Sequence, residues 1–216
     1  MALENSTINT LPALHQKIEQ KHIKGFLAQD EAEALYDLAR AQAGQGACLE
    51  VGSYCGLSTV YLGQGVMAAD GILYAVDHHR GSEEHQVGEA YHDADLYDAS
   101  AQRVDSFPTF QRTLDMFDLN SYVVPIVSRS ATVARHWQQP LALVFIDGGH
   151  SEAMSLEDCM LWGKWIAPGG VLAIHDIFPN PQDGGQGPYK ALLAVQAAYG
   201  LIWEKTQNSL GILRKP

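Results

Sequence analysis

Residues 47–58 read Ala47-Cys48-Leu49-Glu50-Val51-Gly52-Ser53-Tyr54-Cys55-Gly56-Leu57-Ser58. The apolar run up to Val51 predicts a strand, and the stretch from Leu57 to Ala69 predicts a helix. The loop between them is therefore a strand-to-helix turn. Its glycines permit tight turning and let a ligand approach the helix N-terminus closely. The spacing Gly52-x-x-x-Gly56 does not fit the Gly-x-Gly-x-x-Gly pattern of dinucleotide sites. Taken alone, the loop also reads as an ordinary turn.

Outward from this loop, apolar runs alternate with helical stretches. Strands are predicted at Ile72–Val76, Val123–Val127, Leu141–Ile146 and, after a Pro168-Gly169 turn, Gly170–Ile174. Helices are predicted between about Tyr97 and Asp118 with a bend near Pro108, then at Ser130–Trp137, Glu152–Trp165 and Tyr189–Tyr199. A final pair, Leu201–Lys205 and Leu210–Arg214, is joined by Gln207-Asn208-Ser209. Five apolar strands separated by helices imply an α/β, doubly wound, mainly parallel sheet covered on both faces, and the closing pair permits an antiparallel edge. Residues 1–45 read as a helical extension that Gly44 and Gly46 end, leaving 46–216 as the main domain. The four tryptophans read as packing residues.

The chain has 216 residues, 46% of them apolar and 18% charged, which suits one globular domain and argues against disorder. Fourteen basic residues against 25 acidic ones give a net charge of −11. Such a surface repels phosphate backbones and anionic lipid, so neither nucleic acid nor membrane is an expected partner. Three cysteines, Cys48, Cys55 and Cys159, are too scattered for a disulfide framework or a zinc knuckle. The charge-free run Val51–Ala69 is as long as a membrane span, but its glycines and polar residues mark it as a loop entering a helix. The N-terminal residues lack a basic start followed by an apolar core, so a cytoplasmic protein is expected.

In doubly wound sheets ligands sit beyond the carboxyl ends of the strands. Asp77 ends the second strand, where a carboxylate can accept hydrogen bonds from both hydroxyls of a ribose. Asp147 follows the strand LALVFI, and His175 and Asp176 follow VLAI. These three could give a divalent ion two carboxylates and an imidazole, which suits Mg²⁺ or, because of the histidine, Mn²⁺. His150 can act as a base near neutral pH. Each has a plainer reading: Asp147 or His150 at the start of the helix after Ser151, His175 bonded to a nearby loop. The segment His78-His79-Arg80-Gly81-Ser82-Glu83-Glu84-His85-Gln86, continuing towards Tyr91, His92 and Asp95, is a candidate substrate loop, with Arg80 able to hold an anion. Asn180–Pro188 is a second candidate lid.

The series Glu50-x-Gly52-x-x-x-Gly56-x-Ser58, Asp77, Phe145-Ile146-Asp147-Gly148-Gly149-His150 and Ala167-Pro168-Gly169-Gly170 resembles class I S-adenosylmethionine-dependent methyltransferases. Within them it is most similar to the macrocin-type and related natural-product O-methyltransferases, over about residues 47–178. The resemblance implies a Rossmann-like, seven-stranded sheet with an antiparallel last strand. It implies that Glu50, Gly52, Ser53, Tyr54, Gly56, Ser58 and Asp147 surround the amino-acid part of S-adenosyl-L-methionine. Asp77 would hold the ribose, and His78 and Ser130 would lie near the adenine. Related antibiotic O-methyltransferases carry acids where this chain has Asp147, His175 and Asp176, and they use magnesium. They often carry an aspartate where it has Gly149, so His150 becomes the candidate base beside Asp147. The expected activity is methylation of a small-molecule hydroxyl. The alternatives are a protein that binds the cofactor without transfer, a relative with hydroxylase-linked chemistry, or a nicotinamide dehydrogenase. The helices at the N-terminus of relatives often pack between subunits, so a homo-oligomer is expected.

Overall fold

The protein is described by a computed structural model covering residues 10–82 and 93–216. Two helices, α1 (Leu11–Lys21) and α2 (Gln29–Gln42), precede the first strand, β1 (Cys48–Val51). There follow α3 (Leu57–Ala68), β2 (Leu73–Asp77), a two-stranded ribbon of β3 (Tyr97–Asp98) and β4 (Arg103–Val104), and α4 (Phe107–Met116). The second half contains β5 (Val123–Val127), α5 (Ser130–His136), β6 (Leu141–Ile146), α6 (Glu152–Gly163), β7 (Ile166–Ile174), α7 (Gly187–Tyr199), β8 (Ile202–Gln207) and β9 (Leu210–Arg214).

The seven-stranded sheet runs β5-β2-β1-β6-β7-β9-β8. β1, β2, β5, β6 and β7 are mutually parallel, and β9 runs antiparallel to both of its neighbours. This is the expected doubly wound arrangement with an antiparallel last strand. The chain moves outward one way from β1 through β2 to β5, then returns to β6 on the other side. The strand order therefore reverses between β1 and β6, where a ligand crevice opens in such folds.

Alternation along the central strands divides the core into two layers. Cys48, Leu143 and Phe145 pack on one face with Leu14, Leu35, Val60, Phe110 and Leu114 from α1 to α4. Leu49, Val144 and Ile146 pack on the other with Trp162, Leu192 and Val195 from α6 and α7. α3 is enclosed over Ser58–Val66, which explains why the run 51–69 carries no charge: it is the rim loop followed by a helix packed in the core. At Gly65 a Cβ would come within 2.4 Å of the Tyr36 carbonyl, so glycine sets the close approach of α2 to α3. No helix among the described residues is long and apolar enough to cross a membrane.

Three expectations need correction. The region 97–118 is not one bent helix. Asp98 accepts hydrogen bonds from Ser100 and Ala101 N–H, Gln102 is left-handed, and the chain turns into the β3–β4 ribbon. Helix starts only at Phe107, with Pro108 in the first turn, where its missing N–H costs nothing. Pro108 thus begins a helix and does not bend one. Likewise Pro168-Gly169 does not precede the next strand but lies within β7, as a bulge between the pairs Leu141–Ile166 and Leu143–Val171. The helical reading of the N-terminal segment is also interrupted within residues 10–45, because His22 adopts a left-handed cap and α2 begins at Gln29.

Glu50 has the same side-chain parity as Cys48 and points under α3. It is completely buried and accepts hydrogen bonds from Ser58 Oγ and Thr59 Oγ1, both at 2.5 Å. Burial pushes its carboxyl from an ordinary 4.5 up to about 8, against the lowering by the two hydroxyls. Between those values the folded protein keeps a proton that the unfolded chain loses, so stability falls as pH rises through this window. Chemical denaturation of wild type and Glu50→Gln should show the wild type losing ground to the variant from about pH 5 to about pH 8. A difference independent of pH would show that Glu50 is ionised throughout.

Candidate active site

The parallel strands end level with one another. Val51 is in register with Val76 and with Ile146, and Ile146 with Ile174. The ladder continues one residue further: Gly52 N–H donates to Val76 O at 3.0 Å, Asp147 N–H to Val51 O at 2.9 Å, and His175 N–H to Ile146 O at 3.0 Å. Backbone hydrogen bonds therefore fix the first residue beyond each strand. Gly52 has φ 89°, and a Cβ there would lie 2.0 Å from the Asp147 carbonyl oxygen. Only glycine allows β1 and β6 to leave the sheet this close together.

Gly52, Ser53, Tyr54, Ser58, Asp77, His78, Asp147, His150, His175 and Asp176 line one cavity of about 270 Å³ at this rim. A second, open groove of about 820 Å³ shares Gly52, Asp77 and His78 and continues to Ser130. Glu50 and Gly56 line neither. Glu50 supports the loop from behind through Ser58 and Thr59, and Gly56, at φ 97°, caps α3.

On the β1–β2 side, Asp77 is held at both oxygens. Oδ1 accepts the His79 N–H at 2.7 Å and Oδ2 the Tyr54 N–H at 2.8 Å. Each oxygen keeps lone-pair capacity for a ligand hydroxyl. The His79 ring bonds Ser106 Oγ at 2.9 Å and packs against Phe107 and Phe110, which holds this turn in place. Ser53 is 1% exposed, and its Oγ has no hydrogen-bond partner although it lines the cavity. A buried hydroxyl left unpaired at a cavity wall suits a polar ligand atom. At the far end of the groove, Ser130 Oγ accepts the Trp162 indole N–H at 2.8 Å and interacts with Asp158. Burial, opposed by the Ser130 hydrogen bond, pushes the Asp158 carboxyl up to about 6.

On the β6–β7 side, acids and imidazoles alternate. His175 Nδ1 lies 3.2 Å from Asp147 Oδ1 and 3.6 Å from Asp176 Oδ1, and His150 Nε2 lies 3.2 Å from Asp176 Oδ2 and 3.7 Å from Asp147 Oδ1. Burial opposes ionisation of Asp147, but the His175 and His150 charges outweigh it and bring the carboxyl down to about 2. For His175, burial lowers the affinity for a proton. Asp147 and Glu31 overcome this, pushing the imidazole up to about 11. Asp176 is raised by burial. One ligand atom from each of Asp147, His175 and Asp176 lies within 4.8 Å of the others, a donor set that fits a divalent cation.

The residues that sequence reasoning missed come from elsewhere. Glu31, on α2, meets His175 Nε2 at 3.0 Å across 144 positions, a pairing that no local pattern signals. Asp158 lies inside α6 and is buried. Lys24 and Phe26, from the α1–α2 connection, close the cavity, with Lys24 Nζ bonded to Asp93 at 2.6 Å and the Phe26 ring 6.2 Å from Tyr54. Arg80, an anion-binding candidate, pairs with Asp105 at 2.8 Å and lines the groove. Asn180–Pro188, the second candidate lid, lines neither cavity. Glu83, Glu84, His85, Gln86, Tyr91 and His92 of the candidate substrate loop lie outside the described residues.

A family described as "Methyltransferase domain" matches residues 49–177, more than half of the chain. Among solved structures, the chain is similar to the O-methyltransferase from Bacillus cereus, determined with SAH, at 13% identity and a TM-score of 0.60, covering 99% of this chain and 94% of that one. It is similar to the O-methyltransferase TomG from Streptomyces achromogenes, involved in tomaymycin synthesis and determined with SAM, at 14% identity and 0.57, covering 98% and 93%. It is also similar to the SAH-bound methyltransferase PaMTH1 from Podospora anserina, at 11% identity and 0.63, covering 100% and 98%. At these identities the likeness is one of fold. For the rim itself, Gly52→Ala should cost on the order of 3 kcal/mol in chemical denaturation, from left-handed strain and the clash with Asp147. Unchanged stability would show that the Asp147 peptide yields.

Proposed function

From the chain's membership of the methyltransferase-domain family, we propose that it transfers the methyl group of S-adenosyl-L-methionine to a hydroxyl oxygen of a small molecule. One observation carries this reading. The unpaired Ser53 hydroxyl, the doubly held Asp77 and the Asp147–His175–Asp176 cluster share one cavity at the point where strand order reverses.

In this reading the cofactor lies along the rim. Asp77 accepts the ribose hydroxyls, Gly52 to Tyr54 surround the amino-acid end, and His78, Ser130 and Asp158 line the adenine end of the groove. Asp147, His175 Nδ1 and Asp176 would hold a Mg²⁺ or Mn²⁺ ion. When bound, the sulfonium supplies an electrophilic methyl group and the ion supplies positive charge beside the acceptor oxygen. The protein's own work is alignment and proton removal. The rim residues keep methyl donor and acceptor in line, which converts a bimolecular encounter into a prearranged one. His150 accepts the acceptor proton; at Nε2 it stays within reach of Asp176 and Asp147, which stabilise the imidazolium.

The test is turnover of methyl-labelled S-adenosylmethionine against a panel of phenol, sugar and carboxylate acceptors. A chelator should suppress transfer, and Mg²⁺ or Mn²⁺ should restore it. His150→Ala should lower kcat by about 10²-fold or more and remove the acid limb of its pH profile. Wild-type rates in Asp147→Ala and Asp176→Ala would remove the metal from the mechanism, and wild-type rates in His150→Ala would remove the base.

A further inference from the structure

The Glu31 carboxylate is 1% exposed and fully engaged. Oε1 accepts the backbone N–H of Ser209 at 2.8 Å and its Oγ–H at 2.7 Å; Oε2 accepts the Ala28 N–H at 3.1 Å and faces His175 Nε2 at 3.0 Å. Backbone N–H groups are only donors, and one of them occupies each oxygen. A carboxylate so occupied presents only lone pairs, so the histidine nitrogen facing it carries a proton.

The opposite edge of the ring looks into the site. Nδ1 is the nitrogen beside Asp147 and Asp176, and the ring lies edge-on to Phe145 with centroids 6.4 Å apart. Histidines that ligate metals almost always donate their other ring N–H to a carboxylate or carbonyl, which sets tautomer and orientation. Here the carboxylate comes from α2, outside the matched methyltransferase segment at 49–177.

We propose that Glu31 is a positioning residue that keeps a proton on His175 Nε2, so that a bound cation takes the place of the proton on Nδ1 and docking of α2 completes the metal site. The proposal rests on the metal reading given above. It extends that reading by making the N-terminal helices part of the site's chemistry. Their role is to orient the imidazole that stands where related enzymes carry an acid. Ser209, in the turn just before β9, is the anchor on the other side, so the carboxylate bridges helix, rim and the β8–β9 turn.

The experiment is a Mn²⁺ titration of the full-length protein followed by electron paramagnetic resonance, with S-adenosylhomocysteine binding measured in parallel. Glu31→Gln should weaken Mn²⁺ by about 10–100-fold while its S-adenosylhomocysteine affinity stays at the wild-type value. Glu31→Asp should recover part of the Mn²⁺ affinity. Equal Mn²⁺ affinity in wild type and Glu31→Gln overturns the role of Glu31 and leaves the metal reading standing. Absence of Mn²⁺ binding in folded wild type overturns both. Should Glu31→Gln not fold, the wild type still decides. With [¹⁵N]histidine and saturating Mg²⁺, the His175 ring should carry its proton on Nε2 alone. A ring protonated at both nitrogens, or at Nδ1, overturns the proposal.

Discussion

The three hydrogen bonds that carry the parallel ladder one residue past β1, β6 and β7 set the position of everything at the site. They pin Gly52, Asp147 and His175 to the sheet, and Gly52 must lack a side chain because the Asp147 carbonyl occupies that space. Polar side chains are costly inside the strands, so they emerge at the first position where they can face a cleft. Each such bond contributes only about 1 kcal/mol net, but together they remove freedom from the atoms that must be placed most accurately.

The rim has two halves of different character. The β1–β2 half offers backbone amides, one unpaired hydroxyl and a carboxylate held by two N–H groups, which suits the neutral hydroxyls of a sugar. The β6–β7 half concentrates Asp147, Asp176, His150 and His175 within a few ångströms, which suits a cation and a proton transfer. A cofactor lying along the first half would end beside the second. α2 reaches this second half through Glu31, and the α1–α2 connection reaches the cavity through Lys24 and Phe26. The N-terminal helices therefore share the core with the sheet and also touch the site.

Much of this was legible in the sequence for a physical reason. Short apolar runs mark the strands, so β5, β6 and β9 were read at their observed limits, and the charged or imidazole residues at the ends of β2, β6 and β7 marked the rim. Asp77, Asp147, His175 and Asp176 were found this way. The failures share a cause as well. In residues 97–104 the turn is made by Asp98 and a left-handed Gln102, which a helical reading passes over. Glu31 stands in the first turn of α2, where it accepts the Ala28 N–H. Its second role depends on Ser209 and His175, 178 and 144 positions away, and such pairings are created only by the fold.

The account stands on the rim being a cofactor site organised by Asp77. The direct measurement is a calorimetric titration of the metal-loaded protein with S-adenosylhomocysteine, in wild type and in Asp77→Ala. The account predicts a Kd on the order of micromolar in wild type, and loss of that binding in a variant that remains folded. No binding by folded wild type, or equal affinity in Asp77→Ala, would contradict it.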